Sequence, residues 1–161
     1  MITQKEMLTH FLPILEKSGK RYKKKSMVRA KKAQAGLLVV TKTSDGDETQ
    51  NTAEAGDWLV ENQTSTNELY LVKAETFKKK YTLVQSLEQG WGCYQPKGET
   101  TGIIVAKEHL EAFGATNVME FQAPWKATMI VKTGDMLVVP PEKDEIYRIA
   151  KKEFGETYVQ I

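Results

Sequence analysis

One cysteine, Cys93, stands in a chain of 161 residues, so an internal disulfide framework and the four-thiolate zinc sites are excluded. A reducing cytoplasm is the setting this composition fits. No apolar run approaches the ~18 residues that suggest a membrane-spanning helix, and the first residues lack the charged-then-apolar pattern of a secretion signal. The expectation is a cytoplasmic protein with no membrane partner. Nucleophile-elbow, phosphate-loop, dinucleotide and metal-helix patterns are missing too, so no motif assigns a catalytic residue, a metal or a cofactor. An enzyme remains conceivable only with a site gathered from scattered residues.

What is present is an ordinary globular composition, 40% hydrophobic and 27% charged. The net charge of +2 hides an asymmetry: residues 1–35 hold ten Lys and Arg against two Glu, and the remainder is net −6. A basic arm on an acidic body points to a polyanionic partner or to attraction within the molecule.

The chain writes one pattern twice. Residues 56–81 read GDWLVENQTSTNELYLVKAETFKKKY and residues 134–158 read GDMLVVPPEKDEIYRIAKKEFGETY. With one gap they share Gly56/Gly134, Asp57/Asp135, Leu59/Leu137, Val60/Val138, Glu68/Glu145, Tyr70/Tyr147, Phe77/Phe154 and Tyr81/Tyr158. Ordinary composition would give about one or two such identities. Gly36 and Gly114 keep the same spacing as Gly56 and Gly134, which extends the likeness toward the start of each copy and favours duplication.

The repeated residues have a physical reading. Gly before Asp marks a tight turn, because Gly accepts positive φ and Asp bonds nearby amides. WLV and LYLV then form one hairpin, MLVV and IYRI the other. Phe77 and Tyr81, like Phe154 and Tyr158, lie four apart, the spacing of one helical face. On this reading Asp57 and Asp135 serve the backbone rather than catalysis.

A Gly-Asp-aromatic hairpin followed by Glu-Leu-Tyr and a Phe-x3-Tyr ending, preceded by the basic run from Tyr22 to Ala30, resembles the small bacterial and phage-associated domains named for a Pro-Gly-Asp-Tyr-Gly motif (PGDYG). Ala55 and Thr133 stand where that motif has Pro, Trp58 and Met136 where it has Tyr, and the final Gly is absent. The resemblance implies a fold and a phage or bacterial setting, not a reaction.

Around the repeat, Thr3 and Glu6 have capping-box spacing, and Met7, Leu8, Phe11, Leu12 and Leu15 form the apolar stripe of an amphipathic helix. Pro13 predicts a kink or break near Leu12. Met27 and Val28 within the basic run suit an edge strand guarded by lysines. GLLVVTK at 36–42, IIVA at 103–106, NVMEF and ATMIV read as strands, KEHLEAFG as a short helix closed by Gly114, and Gly98-ETT-Gly102 as a hairpin turn. Asp45, Asp47 and Glu48 lack calcium-loop spacing and read as a solvated hairpin tip.

The expected architecture is α+β: a helix over 1–19, repeats at 20–84 and 92–161 related by a pseudo-two-fold, a linker at 85–91, and one shared core, since a copy alone would bury only about 60% of its surface. Three functions follow. The leading one is a non-enzymatic binding module, a phage or bacterial accessory protein engaging a host protein or small ligand in a groove bordered by Trp58, Tyr70, Trp91, Tyr94, Trp125 and Tyr147. A packed seam would use the same rings. The second is nucleic-acid or other polyanion binding through Lys20, Arg21, Lys23, Lys24, Lys25, Arg29, Lys31 and Lys32. The third is an enzyme, for which Cys93 near His10 or His109 would be the nucleophile to test.

Overall fold

The structure is a computed structural model describing residues 1–161, the side chains of Asp47 and Glu48 excepted. Its elements are α1 (Gln4–Ser18), β1 (Lys20–Lys24), β2 (Val28–Lys32), β3 (Leu38–Thr43), β4 (Gly46–Thr52), β5 (Trp58–Asn62), β6 (Leu69–Val72), α2 (Ala74–Lys80), β7 (Tyr81–Ser86), β8 (Gly92–Pro96), β9 (Glu99–Ile104), α3 (Lys107–Glu111), β10 (Val118–Gln122), β11 (Thr128–Lys132), β12 (Met136–Val139), β13 (Tyr147–Ile149), α4 (Lys151–Thr157) and β14 (Tyr158–Gln160). The class is α+β with antiparallel ladders, as the sequence predicts. No helix among the described residues is long and apolar enough to cross a membrane.

Two compact units divide the chain. A terminal unit comprises Met1–Lys23, Glu99–Gly155 and Val159–Ile161, and a central unit comprises Lys24–Gly98 and Glu156–Tyr158. These bounds cut across 20–84 and 92–161 because of how the first strand of each segment pairs. The terminal sheet has the order β13-β12-β9-β1-β14 and the central sheet β6-β5-β2-β8-β7. The two orders coincide when β9 is set against β2, β12 against β5, β13 against β6 and β14 against β7. In that correspondence β1, from the first half of the sequence, fills the place in the terminal sheet that β8, from the second half, fills in the central one. Tyr22 of β1 faces Thr100 of β9, and Tyr94 of β8 faces Val28 of β2. The ring contacts match as well: Tyr22 meets Phe154 edge-on at 4.9 Å, and Tyr94 meets Phe77 edge-on at 4.9 Å.

This pairing corrects several expectations. β2 lies between β5 and β8, so it is an inner strand and not an edge; its Val28 and Ala30 are buried, and Arg29 and Lys31 stand on the opposite face. The residues Glu99–Thr101 lie inside β9, and β8 and β9 join different sheets instead of forming a hairpin. Tyr81 and Tyr158 begin strands, although the Phe77 and Tyr81 rings do stack at 4.7 Å.

In the terminal unit α1 starts with the full capping box of Thr3 and Glu6 and buries Met7, Phe11 and Leu15. It runs unbroken through Pro13, whose residue is exposed, as is Thr9 four residues earlier; a carbonyl released there can be met by water. Gln4 fixes the helix by donating to the carbonyls of Gln122 (2.6 Å) and Ile146 (2.8 Å) and accepting from the Ile146 amide (2.9 Å). The three buried α1 residues join Ile103, Val105, Phe121, Val131, Leu137 and Val139 in one core. The central unit has a smaller core of Val28, Ala30, Val60 and Phe77, surrounded by partly buried Trp58, Tyr70, Val72, Tyr81 and Tyr94.

Candidate functional site

The Gly-Asp turns come first because their repetition makes them look catalytic. Gly56 and Gly134 have φ of 88° and 93°, a region costly to any residue with a Cβ. The Asp that follows reaches back three residues: Asp57 Oδ2 accepts the Glu54 amide at 2.8 Å, and Asp135 Oδ2 accepts the Lys132 amide at 2.8 Å. Their second partners differ. Asp57 pairs with Lys73 (3.2 Å), a largely exposed side chain. Desolvation lowers the Lys73 pKa, but the hydrogen bonds and charges of the Asp57 and Glu54 carboxylates together outweigh it and raise the pKa. Asp135 instead accepts from Nε of Arg148 at 2.8 Å, with the guanidinium fully buried, and from the Lys151 amide at 3.2 Å. Both carboxylates are occupied in holding turns and termini.

The other chemistry-bearing groups also have structural partners. His109 Nδ1 accepts the Ala106 amide at 2.8 Å and so caps α3. His10 sits edge-on to Phe11 and Phe113. The Cys93 thiol donates to the Met27 sulfur at 3.6 Å. Among the described residues no group of three or more His, Cys, Asp or Glu is placed to hold a metal ion, and the side chains of Asp47 and Glu48 lie outside the described residues.

Of the six aromatic residues expected at a groove, Trp58, Tyr70, Trp91 and Tyr94 belong to the central unit, and Trp125 and Tyr147 to the terminal one. Trp58 stacks flat on Phe77 at 4.1 Å, with Tyr94 edge-on to both rings. Tyr147 packs against the terminal core. Trp125, between β10 and β11, is 38% exposed. The surface depressions on the β3–β4 hairpin and beside the end of α1 are lined by none of the six.

Tyr70 anchors a polar network in the central unit. Its hydroxyl takes a 2.8 Å hydrogen bond from Lys24 and lies 3.1 Å from the Tyr81 hydroxyl, while Asn62 Oδ1 is within reach of both Lys24 and Tyr70. Burial pushes the Tyr81 phenol well above its ordinary value near 10, and the Lys24 ammonium offsets only part of that. Although part of Tyr81 reaches solvent, its hydroxyl is enclosed.

The expected basic set divides in the same manner. Lys20, Arg21 and Lys23 lie on β1 in the terminal unit, where Arg21 pairs with Glu99 at 3.4 Å. Lys24, Lys25, Arg29, Lys31 and Lys32 lie in the central unit. Two of them converge where the sequence gives no hint: the Arg29 guanidinium lies 4.6 Å and the Lys31 ammonium 4.7 Å from the Trp91 ring centre. Arg29 also bonds Glu61 at 3.0 Å across the β2–β5 pair, whereas Lys31 faces Leu59. No acidic partner of Lys31 is found among the described residues.

The register explains why this face is charged. On the far side of the central sheet from its core, Arg29, Lys31, Leu59 and Glu61 take the places that Thr101, Ile103, Leu137 and Val139 take in the terminal sheet. There, Ile103, Leu137 and Val139 are covered by α1. The central unit keeps one apolar residue of that floor, the buried Leu59, and sets two cations, one carboxylate and an indole around it. Sequence spacing alone misses this cluster, because Trp91 is sixty residues from Lys31 and reaches it through the β2–β8 pairing. No family model, curated protein or solved structure matches the chain.

Proposed function

We propose that the chain is a binding module without a catalytic centre, and that it contacts acidic groups of a protein or small ligand through the Trp91 face of the central unit. The observation that carries this reading is the pair of cations, Arg29 and Lys31, held over one indole on a face that the terminal unit uses to seat a helix. Ordering a long cationic side chain against a ring before contact reduces the entropy lost on binding. The non-catalytic half of the reading is supported by the structural occupation of Asp57, Asp135, His109 and Cys93. The phage or bacterial setting rests on the resemblance of the Gly-Asp repeats.

The test is affinity capture from bacterial lysate at physiological salt, comparing the protein with its Arg29→Glu/Lys31→Glu variant. Species retained by the first and lost by the second support the reading. An unchanged retained set, or none, removes it.

The same cluster favours a second reading, single-stranded nucleic acid, because an aromatic platform flanked by cations accepts stacked bases and phosphates. Quenching of tryptophan fluorescence by an oligonucleotide, titrated against salt, tests it: each phosphate contact contributes about −0.7 to the log–log slope. A flat salt dependence, or no quenching, rejects it.

A further inference from the structure

We infer that β7 is a self-pairing edge, through which two copies of the chain join antiparallel into one continuous sheet. β7 ends the central sheet, bonded to β8 on one side only. Residues 82–90 are all exposed, among them Leu83 (52%), Val84 (54%) and Leu87 (39%). An exposed apolar edge strand offers unpaired amides and carbonyls to another strand. The opposite edge of this sheet is approached instead by β3, whose Thr41 hydroxyl donates to the Leu69 carbonyl of β6 at 2.7 Å.

Three features select a second copy as the occupant. From Tyr81 to Leu87 the strand carries no charge, while Lys80 precedes it and Glu88 follows it. An antiparallel partner of the same sequence, centred on Val84, brings Lys80, the last residue of α2, toward Glu88 of the other copy, which opens the 3-10 turn after β7, so the charges at both ends of the paired strands are opposite in sign. The ladder to β8 is interrupted by a bulge between Leu83 and Gln85, leaving Val84 out of register. A two-fold axis at Val84 gives both strands that irregularity at the same place. The contact is isologous and closed, so it ends at a dimer. Its length, six residues a side, marks it as a weak association.

Sedimentation velocity of the full chain, from about 5 to about 500 µM, reads the association directly. The expected result is a monomer that becomes a dimer with concentration. Val84→Lys, which sets two ammonium groups at the axis, raises the dissociation constant at least ~10-fold. Glu88→Lys raises it about three- to tenfold, and the combined Lys80→Glu/Glu88→Lys exchange restores it. Circular dichroism of each variant establishes that it remains folded, since all three positions lie at the surface or at an element end. A protein that stays monomeric throughout overturns the inference, and so does a dimer indifferent to Val84→Lys or an exchange that fails to restore the single reversal. None of these outcomes bears on the Trp91 face.

Discussion

The two Gly-Asp turns allow one substitution to be made twice in matched settings, and the structure assigns the two copies different costs. Asp135→Ala removes the acceptor from a fully buried guanidinium as well as from the Lys132 and Lys151 amides. Breaking a buried pair from one side removes a charge partner that water cannot replace there, a loss of about 3–5 kcal/mol. Asp57→Ala removes the same backbone bond to Glu54, but its cation, Lys73, is 61% exposed and returns to water. What remains is about 1–2 kcal/mol for the lost amide bond, with little added by the screened ion pair. The difference is therefore about 2 kcal/mol or more. Urea denaturation combined with hydrogen exchange, read separately for the amides of each unit, makes the comparison. Equal costs at the two positions, or a larger cost at Asp57, refute the assignment of the Asp135–Arg148 pair as an internal support of the terminal unit.

Two further outcomes follow from local geometry. The unfolded chain releases the Tyr81 proton near pH 10 and the folded chain only at higher pH, so above pH 10 the unfolded state holds fewer protons and stability falls as pH rises, by up to about 1.4 kcal/mol per pH unit. Below that range the contribution is fully present; Tyr81→Phe lessens the alkaline slope of the urea midpoint, and parallel slopes in the two proteins contradict the account. Gly134→Ala forces a Cβ into φ near 93° and lowers stability by about 1–2 kcal/mol, measured in the same titration, whereas a neutral result excludes turn strain there.

The elements were legible where local chemistry decides them. Thr3 and Glu6 announced the start of α1, the two apolar pairs flanking polar turns gave the β5–β6 and β12–β13 hairpins, and Gly114 closed the α3 segment in positive φ. Pro13 misled because the penalty for an unpaired carbonyl vanishes on a solvent-facing stretch of helix. The basic run misled more deeply. Alternation along β2 shows that one face is buried, but an inner strand with charges on its outer face and an edge strand have the same alternation. Which sheet β1 and β8 enter is fixed by partners 78 and 66 residues away, at Thr100 for Tyr22 and at Val28 for Tyr94, and no local residue encodes that choice. The Trp91 cluster was hidden for the same reason.

The crossed membership of β1 and β8 sets an order of assembly on the ribosome. Nearly the whole central unit, residues 24–98, has emerged before the first strand of the terminal core beyond β1 is made. During that time, on the order of seconds at ~5–20 residues per second, α1 and β1 wait without the Glu99–Gly155 segment they pack against. An unpaired nascent strand beside a forming sheet is an invitation to wrong pairing. Lys20, Arg21, Lys23 and Lys24 make β1 the most heavily charged strand of the chain. Like charges and long solvated side chains keep such a segment from adding to a neighbour's edge. The charge that β1 carries therefore disfavours wrong pairing in the interval before β9 is made.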